Sequence, residues 1–157
     1  RPEQAITRAE FAAIAARFDS SLYVGEHQFS DIGGHWAAEY IDRAAQKGWV
    51  NGYPDGTFRP DQPITRAEAM TLINAVLGRR THAENMLNEM NHWPDNAPDA
   101  WYYEAVQEAT NGHDYERENP TAYETWTAMQ SARDWSLLER QWSVAAAAKN
   151  EAAAQTA

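Results

Sequence analysis

The chain has 157 residues, of which 43% are hydrophobic, including seven tryptophans and seven tyrosines, and this composition excludes a disordered chain and allows one domain with a real core. A formal net charge of −10 argues against nucleic acid as a partner, because phosphate binding needs clustered lysine and arginine. Cysteine is absent, which excludes disulfides and thiolate metal sites, and no apolar run approaches the roughly 20 residues that span a bilayer.

An internal repeat organises the chain. Residues 1–10 (RPEQAITRAE) return as residues 59–68 (RPDQPITRAE), with eight of ten positions identical at an offset of 58. Because repetition sets the architecture, we predict units that each contain a helix after Ile-Thr, a second helix near a tryptophan and a Gly/Pro-rich loop. The chain does not begin with Met, and we expect it to be a piece of a longer protein.

Apolar residues at helical spacing predict the two helices of a unit. The stripe on the first helix consists of Phe11, Ile14, Ala15 and Phe18, and its counterpart in the second unit of Ala69, Leu72, Ile73 and Val76. The other helix is predicted from His35 to Lys47, with one side formed by Trp36, Tyr40, Ile41 and Ala44. Residues 49–60 carry Asn-Gly and Pro-Asp-Gly turn signals, and we predict a very short hairpin between Val50 and Thr57-Phe58.

A third, divergent copy of the unit follows the second one. The segment from Trp101 to Val106 echoes the helix at Trp36, and Asn111-Gly112 echoes Asn51-Gly52. Thr121–Glu124 echoes Thr65–Glu68, with Ala122 in place of the arginine. Trp135, Leu138 and Trp142 then predict one more helix, and the Ala-rich residues 145–157 can be helical by propensity.

The order and spacing of four segments resemble the S-layer homology family. These segments are residues 29–32 (FSDI), 35–37 (HWA), 52–60 (GYPDGTFRP) and 64–68 (ITRAE). The resemblance implies a mainly α fold in which three units form a pseudo-threefold prism around a central three-helix bundle, with short β segments in loops. We assign residues 1–28 to the C-terminal part of a first repeat, 29–91 to a second repeat, 92–133 to a divergent third repeat, and 134–157 to a C-terminal helix and Ala-rich tail.

The same resemblance implies non-covalent anchoring rather than catalysis, without a cofactor. Members of the family bind a secondary cell-wall polysaccharide, often one that ends in a pyruvate ketal, or a modified peptidoglycan, in grooves between neighbouring units. We therefore expect a carbohydrate partner, no nucleic acid and no membrane insertion. The expected location is extracellular, at the bacterial surface in the S-layer or cell wall.

A threonine followed three residues later by a glutamate is the sequence of a helix capping box, in which each side chain binds a free backbone N–H. Three such pairs predict structural caps: Thr7 with Glu10, Thr65 with Glu68, and Thr121 with Glu124. The cap does not need the arginine between them, because the third copy lacks it. Arg8 and Arg66 are therefore our candidate ligands for a carboxylate, with an ion pair to a neighbouring acid as the alternative.

Aromatic and loop residues complete the candidate site, and two interpretations of them stay open. Trp36 and Trp101 are either core residues or stacking platforms for a sugar, and His35 either donates to a sugar hydroxyl or caps its helix. The loop residues either form a turn or approach a ligand, and the carboxylate of Asp55 either binds a sugar or braces the loop. The loop candidates are Gly52, Tyr53, Asp55, Gly56 and Thr57.

We predict two usable grooves. The first combines Arg8 with Trp36 and the loop at residues 52–57, and the second combines Arg66 with Trp101 and Gly112. The third groove is predicted to be inactive because Ala122 replaces its arginine. We expect no catalytic residues, because the capping boxes explain the glutamates and no nucleophile or HExxH spacing is present, and no metal site.

Two other hypotheses remain for the function. One is a structural or protein-interaction module, with self-assembly possible, that keeps the repeat scaffold without binding a glycan. The degraded third copy and the helix at Trp135–Trp142 favour that hypothesis. The other is a cell-wall hydrolase, which turnover of purified peptidoglycan would reveal.

Overall fold

The computed structural model describes residues 4–19, 21, 23, 25–131, 134 and 136–144. The helices between residues 8 and 110 are α1 (Arg8–Ala16), α2 (Ala38–Gln46), α3 (Arg66–Leu77) and α4 (Tyr103–Thr110), with a 3-10 turn at Ala83–Asn85. Two short strands, β1 (His113–Glu116) and β2 (Thr125–Met129), form an antiparallel pair after α4. Residues 136–144 are helical, whereas Trp135 and the Ala-rich tail lie outside the described residues. The expectation of a mainly helical protein with short strands is confirmed.

Capping boxes begin α1 and α3, as the threonine–glutamate spacing predicts. The hydroxyl of Thr7 accepts a hydrogen bond from the backbone N–H of Glu10 at 3.1 Å, and the Glu10 carboxylate accepts from the backbone N–H of Thr7 at 2.8 Å. Thr65 and Glu68 repeat this arrangement at 3.2 and 2.8 Å. Helix α3 ends at Gly78, whose φ of 68° is a left-handed conformation that favours glycine.

The core face of α1 differs from the predicted apolar stripe. The buried residues are alanines, among them Ala9 and Ala12 at 0% exposure, whereas Ile14 and Phe18 are 50% and 76% exposed. The small alanine side chains allow α1 to approach α2 closely, so the large apolar residues lie on the opposite side of the helix. The core contains further residues from the second unit: Ile32, Ala37, Ala38, Ile41, Ala44 and Phe58.

Helix α2 is shorter than predicted and faces the core with a different edge. It begins at Ala38 rather than His35, and its buried residues Ile41 and Ala44 pack against α1. Trp36 precedes the helix and is 62% exposed, so it is not a core residue. In α3, similarly, Leu72 is buried but Ile73 is 45% exposed.

The loop between α2 and α3 is a turn without strands, so the predicted hairpin at Val50 and Thr57-Phe58 is wrong. The backbone N–H of Tyr53 donates to the carbonyl of Thr57 at 2.8 Å, and the N–H of Gly56 donates to the carbonyl of Tyr53 at 3.0 Å. The Asp31 carboxylate accepts from the backbone N–H groups of Phe58 and Arg59, each at 2.7 Å. These bonds hold the loop against the core in place of a strand ladder.

The third unit departs from the expected bundle. A strand, β2, stands where the third bundle helix was predicted, so the cap at Thr121 and Glu124 is wrong. The hydroxyl of Thr121 bonds the side chain of Asn119, and Glu124 is fully buried beside the start of the strand. The sequence Thr-Trp-Thr-Ala-Met over residues 125–129 favours a strand, because threonine and tryptophan are good strand formers and Trp126 alone faces inward at 3% exposure. In the part of the chain that the structure describes, α1 and α3 contact each other, and a strand rather than a helix follows the third threonine–glutamate pair.

Candidate functional site: a cleft between repeated units

A cleft of about 400 Å³ lies between the units, and we call it the Arg8 cleft. Its walls come from the start of α1, the loop between α2 and α3, one side of α3, and Trp101, which lies two residues before α4. Most of its lining side chains are apolar or aromatic. The lining residues are Arg8, Trp49, Val50, Asn51, Gly52, Tyr53, Pro54, Phe58, Ile64, Glu68, Thr71, Leu72 and Trp101.

Arg8 is held firmly in the wall of this cleft. Its guanidinium pairs with the carboxylate of Glu68, its Nε donates to the carbonyl of Phe58 at 2.8 Å, and its Nη2 donates to the carbonyl of Asn51 at 3.2 Å. The guanidinium carbon also lies 4.6 Å from the ring centre of Phe58 and 4.9 Å from that of Tyr53. The ion pair, which was the alternative interpretation of Arg8, is therefore present, within the wall of the cleft.

Glu68 serves both the cap of α3 and the ion pair. Burial raises the pKa of its carboxyl, but the backbone and hydroxyl hydrogen bonds from Thr65 and the charge of Arg8 outweigh burial and hold the pKa below its usual range. The Tyr53 hydroxyl also donates to Glu68 at 3.2 Å. One carboxylate thus fixes the start of a helix, an arginine of the preceding unit and the aromatic residue of the loop.

The glycine-rich loop is shaped by two further contacts. A Cβ on Gly52 would lie 2.4 Å from the ring of Phe29 and 2.7 Å from the carbonyl of Thr57, so only glycine fits there. Arg59 covers the outer side of Tyr53, with its guanidinium carbon 3.8 Å from the ring centre. The cleft wall around residues 52–54 is therefore already arranged before any ligand arrives.

Asp55 braces its own loop. Its carboxylate accepts from the hydroxyl of Thr57 at 2.6 Å, from the backbone N–H of Thr57 at 3.0 Å and from Arg59 at 3.0 Å. The hydroxyl and backbone bonds from Thr57, followed by the bond from Arg59, lower the pKa of Asp55 to about 2. Gly56, at a φ of 79°, supplies the left-handed residue of this turn. Asp55, Gly56 and Thr57 do not line the cleft.

The two tryptophans lie in different clefts from those predicted. Trp101 of the third unit is 70% exposed and borders the Arg8 cleft. Arg8 extends to Glu68 of the second unit, so the cleft in which it lies also reaches the third unit. Trp36 borders a separate, more open hollow on α1, which we call the Trp36 cleft. The lining of that cleft consists of Gln4, Ala5, Ile6, Glu10, Ala13, Ile14, Arg17, Trp36 and Tyr40.

Two members of the predicted second groove, Arg66 and Gly112, lie outside both of these clefts. Arg66 is exposed and makes no hydrogen bond or ion pair with the described residues. Gly112 instead accepts a hydrogen bond from the backbone of Gln130 at 2.8 Å. The Nδ1 of His35 accepts from the backbone N–H of Ala37 at 3.2 Å, just before α2 begins, and its Nε2 lies 3.3 Å from Asp61 Oδ1.

A buried polar cluster in the third unit escaped the sequence interpretation. Glu108 of α4, His113 of β1 and Glu124 are each no more than 6% exposed. Arg79 Nη2 lies 2.6 Å from Glu108 Oε1 and 3.4 Å from His113 Nε2, and the indole N–H of Trp126 donates to Glu108 at 3.0 Å. These residues span more than forty positions of the chain without a motif, so nothing in the sequence indicated that they meet.

This cluster has the residue types of a metal site, but a protein cation already serves it. One ligand atom from each of Glu108, His113 and Glu124 lies within 4.8 Å of the others. The guanidinium of Arg79 contacts two of these atoms, and Arg117 lies 3.6 Å from the third residue, Glu124. Two arginines thus balance two carboxylates, which removes the charge that would attract a metal ion.

Burial and neighbouring charges shift the three pKa values in this cluster. Burial raises the pKa of Glu108, but the hydrogen bond and charge of His113 and the charge of Arg79 lower it below its ordinary value. Burial lowers the pKa of His113, but bonds to Glu108 and to the Asn111 carbonyl raise it above its ordinary value. Burial and the charge of Glu108 raise the pKa of Glu124.

Comparison with known proteins supports the interpretation of the repeats. The S-layer homology domain model matches residues 28–70. The chain is similar to a cellulosome-anchoring protein of Acetivibrio thermocellus, with 39% identity over 120 residues, which cover 73% of this chain and 26% of that protein. It is also 32% identical over 131 residues to cell surface glycoprotein 1 of the same organism, covering 73% of this chain and 5% of the glycoprotein.

A third relative is outer membrane protein SlpA of Thermus thermophilus, which is 47% identical over 58 residues, or 36% of this chain and 6% of that protein. The chain therefore spans about a quarter or less of each of these relatives. Within the described residues, the helices are too short and too polar to cross a membrane. The matched domain and the surface-protein relatives point to the bacterial cell surface or cell wall. Residues 28–70 match the S-layer homology domain, and the predicted resemblance to that family is confirmed.

Proposed function

We propose that this chain anchors a larger protein non-covalently to the bacterial cell wall by binding a secondary cell-wall polysaccharide in the Arg8 cleft. The observation that carries the proposal is the cleft itself, in which one exposed tryptophan faces a preformed Gly-Tyr-Pro loop across a hollow of about 400 Å³. A rigid aromatic platform beside backbone polar groups suits a sugar ring, which has apolar C–H faces and hydroxyl edges.

The contacts of the cleft suggest how a sugar is recognised. Trp101 provides the stacking surface, and Val50, Tyr53 and Leu72 provide apolar contacts for a methyl group such as that of an acetyl or a ketal substituent. The polar groups are few and fixed, which gives orientation at a small entropic cost. Arg8 keeps its positive charge in this wall and is the group that a carboxylate on the sugar would approach.

The electrostatics limit the strength of an anionic contact at Arg8. Glu68 already balances the guanidinium, and two carbonyls accept from it, so a carboxylate meets a neutral ion pair rather than a free cation. We therefore assign most of the affinity to stacking and shape, with Arg8 as a positioning group. A polysaccharide that meets many such modules on one surface gains further from effective concentration.

Co-sedimentation with purified cell-wall sacculi tests this function. The wild-type protein should pellet with sacculi that carry the secondary polysaccharide and stay in solution after the polysaccharide has been removed. Trp101→Ala should weaken binding about tenfold or more, because it removes the aromatic anchor. Binding to stripped sacculi that equals binding to intact ones would exclude the polysaccharide as the ligand.

Trp36→Ala is the matched control, since Trp36 also precedes a helix and is 62% exposed, against 70% for Trp101. It should leave binding unchanged when the protein is dilute. Equal losses from both substitutions would show that the Arg8 cleft is not the binding site.

A further inference from the structure

We propose that the chain associates head to tail with a second copy of itself, through two faces that the described residues of the third unit leave uncovered. The first is the Glu10 face on α1, which consists of Ile6, Glu10 and Ile14 beside Trp36. The second is the Arg66 face on α3, which consists of Arg66, Met70, Ile73 and Leu77. The first face presents the carboxylate of Glu10, with Arg17 at its far side, and the second presents the guanidinium of Arg66; both contain exposed apolar residues.

The molecule already contains a covered version of this contact. Shifting by the repeat offset of 58 relates Arg66 to Arg8, and it relates Glu10 to Glu68. Within the chain, Arg8 of the first unit pairs with Glu68 of the second unit. Backbone bonds accompany the pair, from Arg8 to the carbonyl of Gln62 at 2.9 Å and from Ile64 to the carbonyl of Ile6 at 3.1 Å. The arginine end of one unit therefore fits the glutamate end of the next.

Burial differs sharply between the covered and the open copies. On α1, Arg8 is 7% exposed, and Ala12 and Ala15 on the same helix are 0% and 3% exposed. On α3, Ile73, which corresponds to Ala15 in the repeat, is 45% exposed, and Leu77, one turn further, is 60% exposed. On the glutamate side, Leu72 is 6% exposed but its counterpart Ile14 is 50% exposed. Large apolar residues thus occupy the positions of the repeat that are uncovered.

The charged groups of the open faces are also unpaired. Arg66 has no ion pair with any described residue, and Glu10 accepts a bond from the backbone of Thr7 but meets no cation in the described part of the chain. In the third unit, Ala122 stands where an arginine would reach Glu10, and Glu124 lies in the buried cluster instead of at a helix start. The third unit therefore offers neither face its complement.

A second copy provides both complements at once. Its Arg66 face can cover Glu10 and Ile14, while the aliphatic side chains of the two faces exclude water from the ion pair. The two faces consist of different residues, so the contact is heterologous and each copy retains one open face after pairing. The expected product is a concentration-dependent series of short oligomers, favoured by salt because the net charge of −10 repels at long range.

A mixing experiment with two blocked variants tests the proposal by sedimentation velocity or light scattering. Ile14→Lys blocks the Glu10 face, and Ile73→Lys blocks the Arg66 face, so that the two blocked faces repel each other in a mixture. Both positions are about half exposed, so folding should survive. The wild-type protein should associate as its concentration rises, and each variant alone should associate at least tenfold more weakly. An equimolar mixture should form dimers and stop there, because only one intact pair of faces remains.

Three results would overturn the proposal: a wild-type protein that stays monomeric at all concentrations, variants that associate as the wild type does, or a mixture that stays monomeric. Circular dichroism checks that the variants fold. If Ile73→Lys proves unstable, Arg66→Ala replaces it, because the Arg66 side chain is exposed and makes no bond with the described residues.

Discussion

Arg8 and Arg66 hold the same position in the repeat, the first residue of a bundle helix, but they have different surroundings. Arg8 is enclosed by Glu68, two carbonyls and two aromatic rings, whereas Arg66 faces solvent. The same residue therefore acts as a structural clamp in one unit and as an exposed charge in the other. This difference follows from what the next unit places opposite each arginine.

The stability of the two arginine variants should differ accordingly. Arg8→Ala leaves Glu68 and two carbonyls without their partner, and we expect the free energy of unfolding to fall by about 3 kcal/mol, the lower end for a buried pair because Glu68 keeps some exposure. Arg66→Ala should change it by no more than about 0.5 kcal/mol. Urea denaturation measures both values. Equal midpoints for the two variants would contradict the structural role of Arg8.

At the scale of secondary structure, the same threonine–glutamate spacing leads to different elements. Thr65 and Glu68 begin α3, whereas Thr121 and Glu124 precede a strand. In the third unit, burial of Glu124 beside Arg117 and His113 outweighs the local preference for a cap, and the Thr-Trp-Thr sequence that follows favours the strand.

Removing the two threonines should expose this difference. Thr65→Ala should cost about 1 kcal/mol of stability through the lost cap. Thr121→Ala, the matched control, should have little effect, because that exposed hydroxyl bonds only the side chain of Asn119. Thermal unfolding followed by circular dichroism compares them, and a comparable loss in both variants would indicate that residues 121–124 do cap a helix.

The buried cluster between α4, β1 and β2 should make stability depend on pH. The folded pKa of His113 lies above its unfolded value, so the folded chain binds the proton more tightly. Its contribution to stability is therefore complete below the ordinary histidine pKa of 6.5 and is lost as the pH rises through the folded pKa. His113→Gln should remove this contribution to the pH dependence of the free energy of unfolding.

Unfolding curves at several pH values between about 6 and 9 give the free energy of unfolding of both proteins. The effect of His113 is the difference in that free energy between wild type and variant at each pH. The difference cancels titration of the groups that do not interact with His113. It keeps the share of Glu108 and Glu124 that depends on the charge of His113. Parallel pH profiles for the two proteins would show that His113 does not titrate in the folded state with a raised pKa.

At the scale of the whole molecule, the charge of −10 opposes any anionic wall polymer. The local contacts at the Arg8 cleft are short and partly buried, so salt weakens them less than it weakens the long-range repulsion. Binding to sacculi should therefore hold or rise as ionic strength increases from low values to physiological ones. Binding that falls steeply with salt, as for a protein that depends on surface cations, would contradict this account.

The sequence by itself determined the features that depend on nearby residues. The repeat at an offset of 58, the capping boxes of Thr7 and Thr65, and the turn at Pro54–Gly56 follow from spacing and backbone preference over a few positions. The S-layer homology assignment over residues 28–70 rests on the same local patterns.

Only the tertiary structure decided how the units meet. It placed Trp101 rather than Trp36 across from Arg8, gave α1 an alanine core face instead of Ile14 and Phe18, and gathered Arg79, Glu108, His113 and Glu124 into one buried cluster. These outcomes depend on close packing and on charges that come from distant parts of the chain. Such contacts have no fixed spacing along the chain, and their free energy depends on burial that exists only after folding.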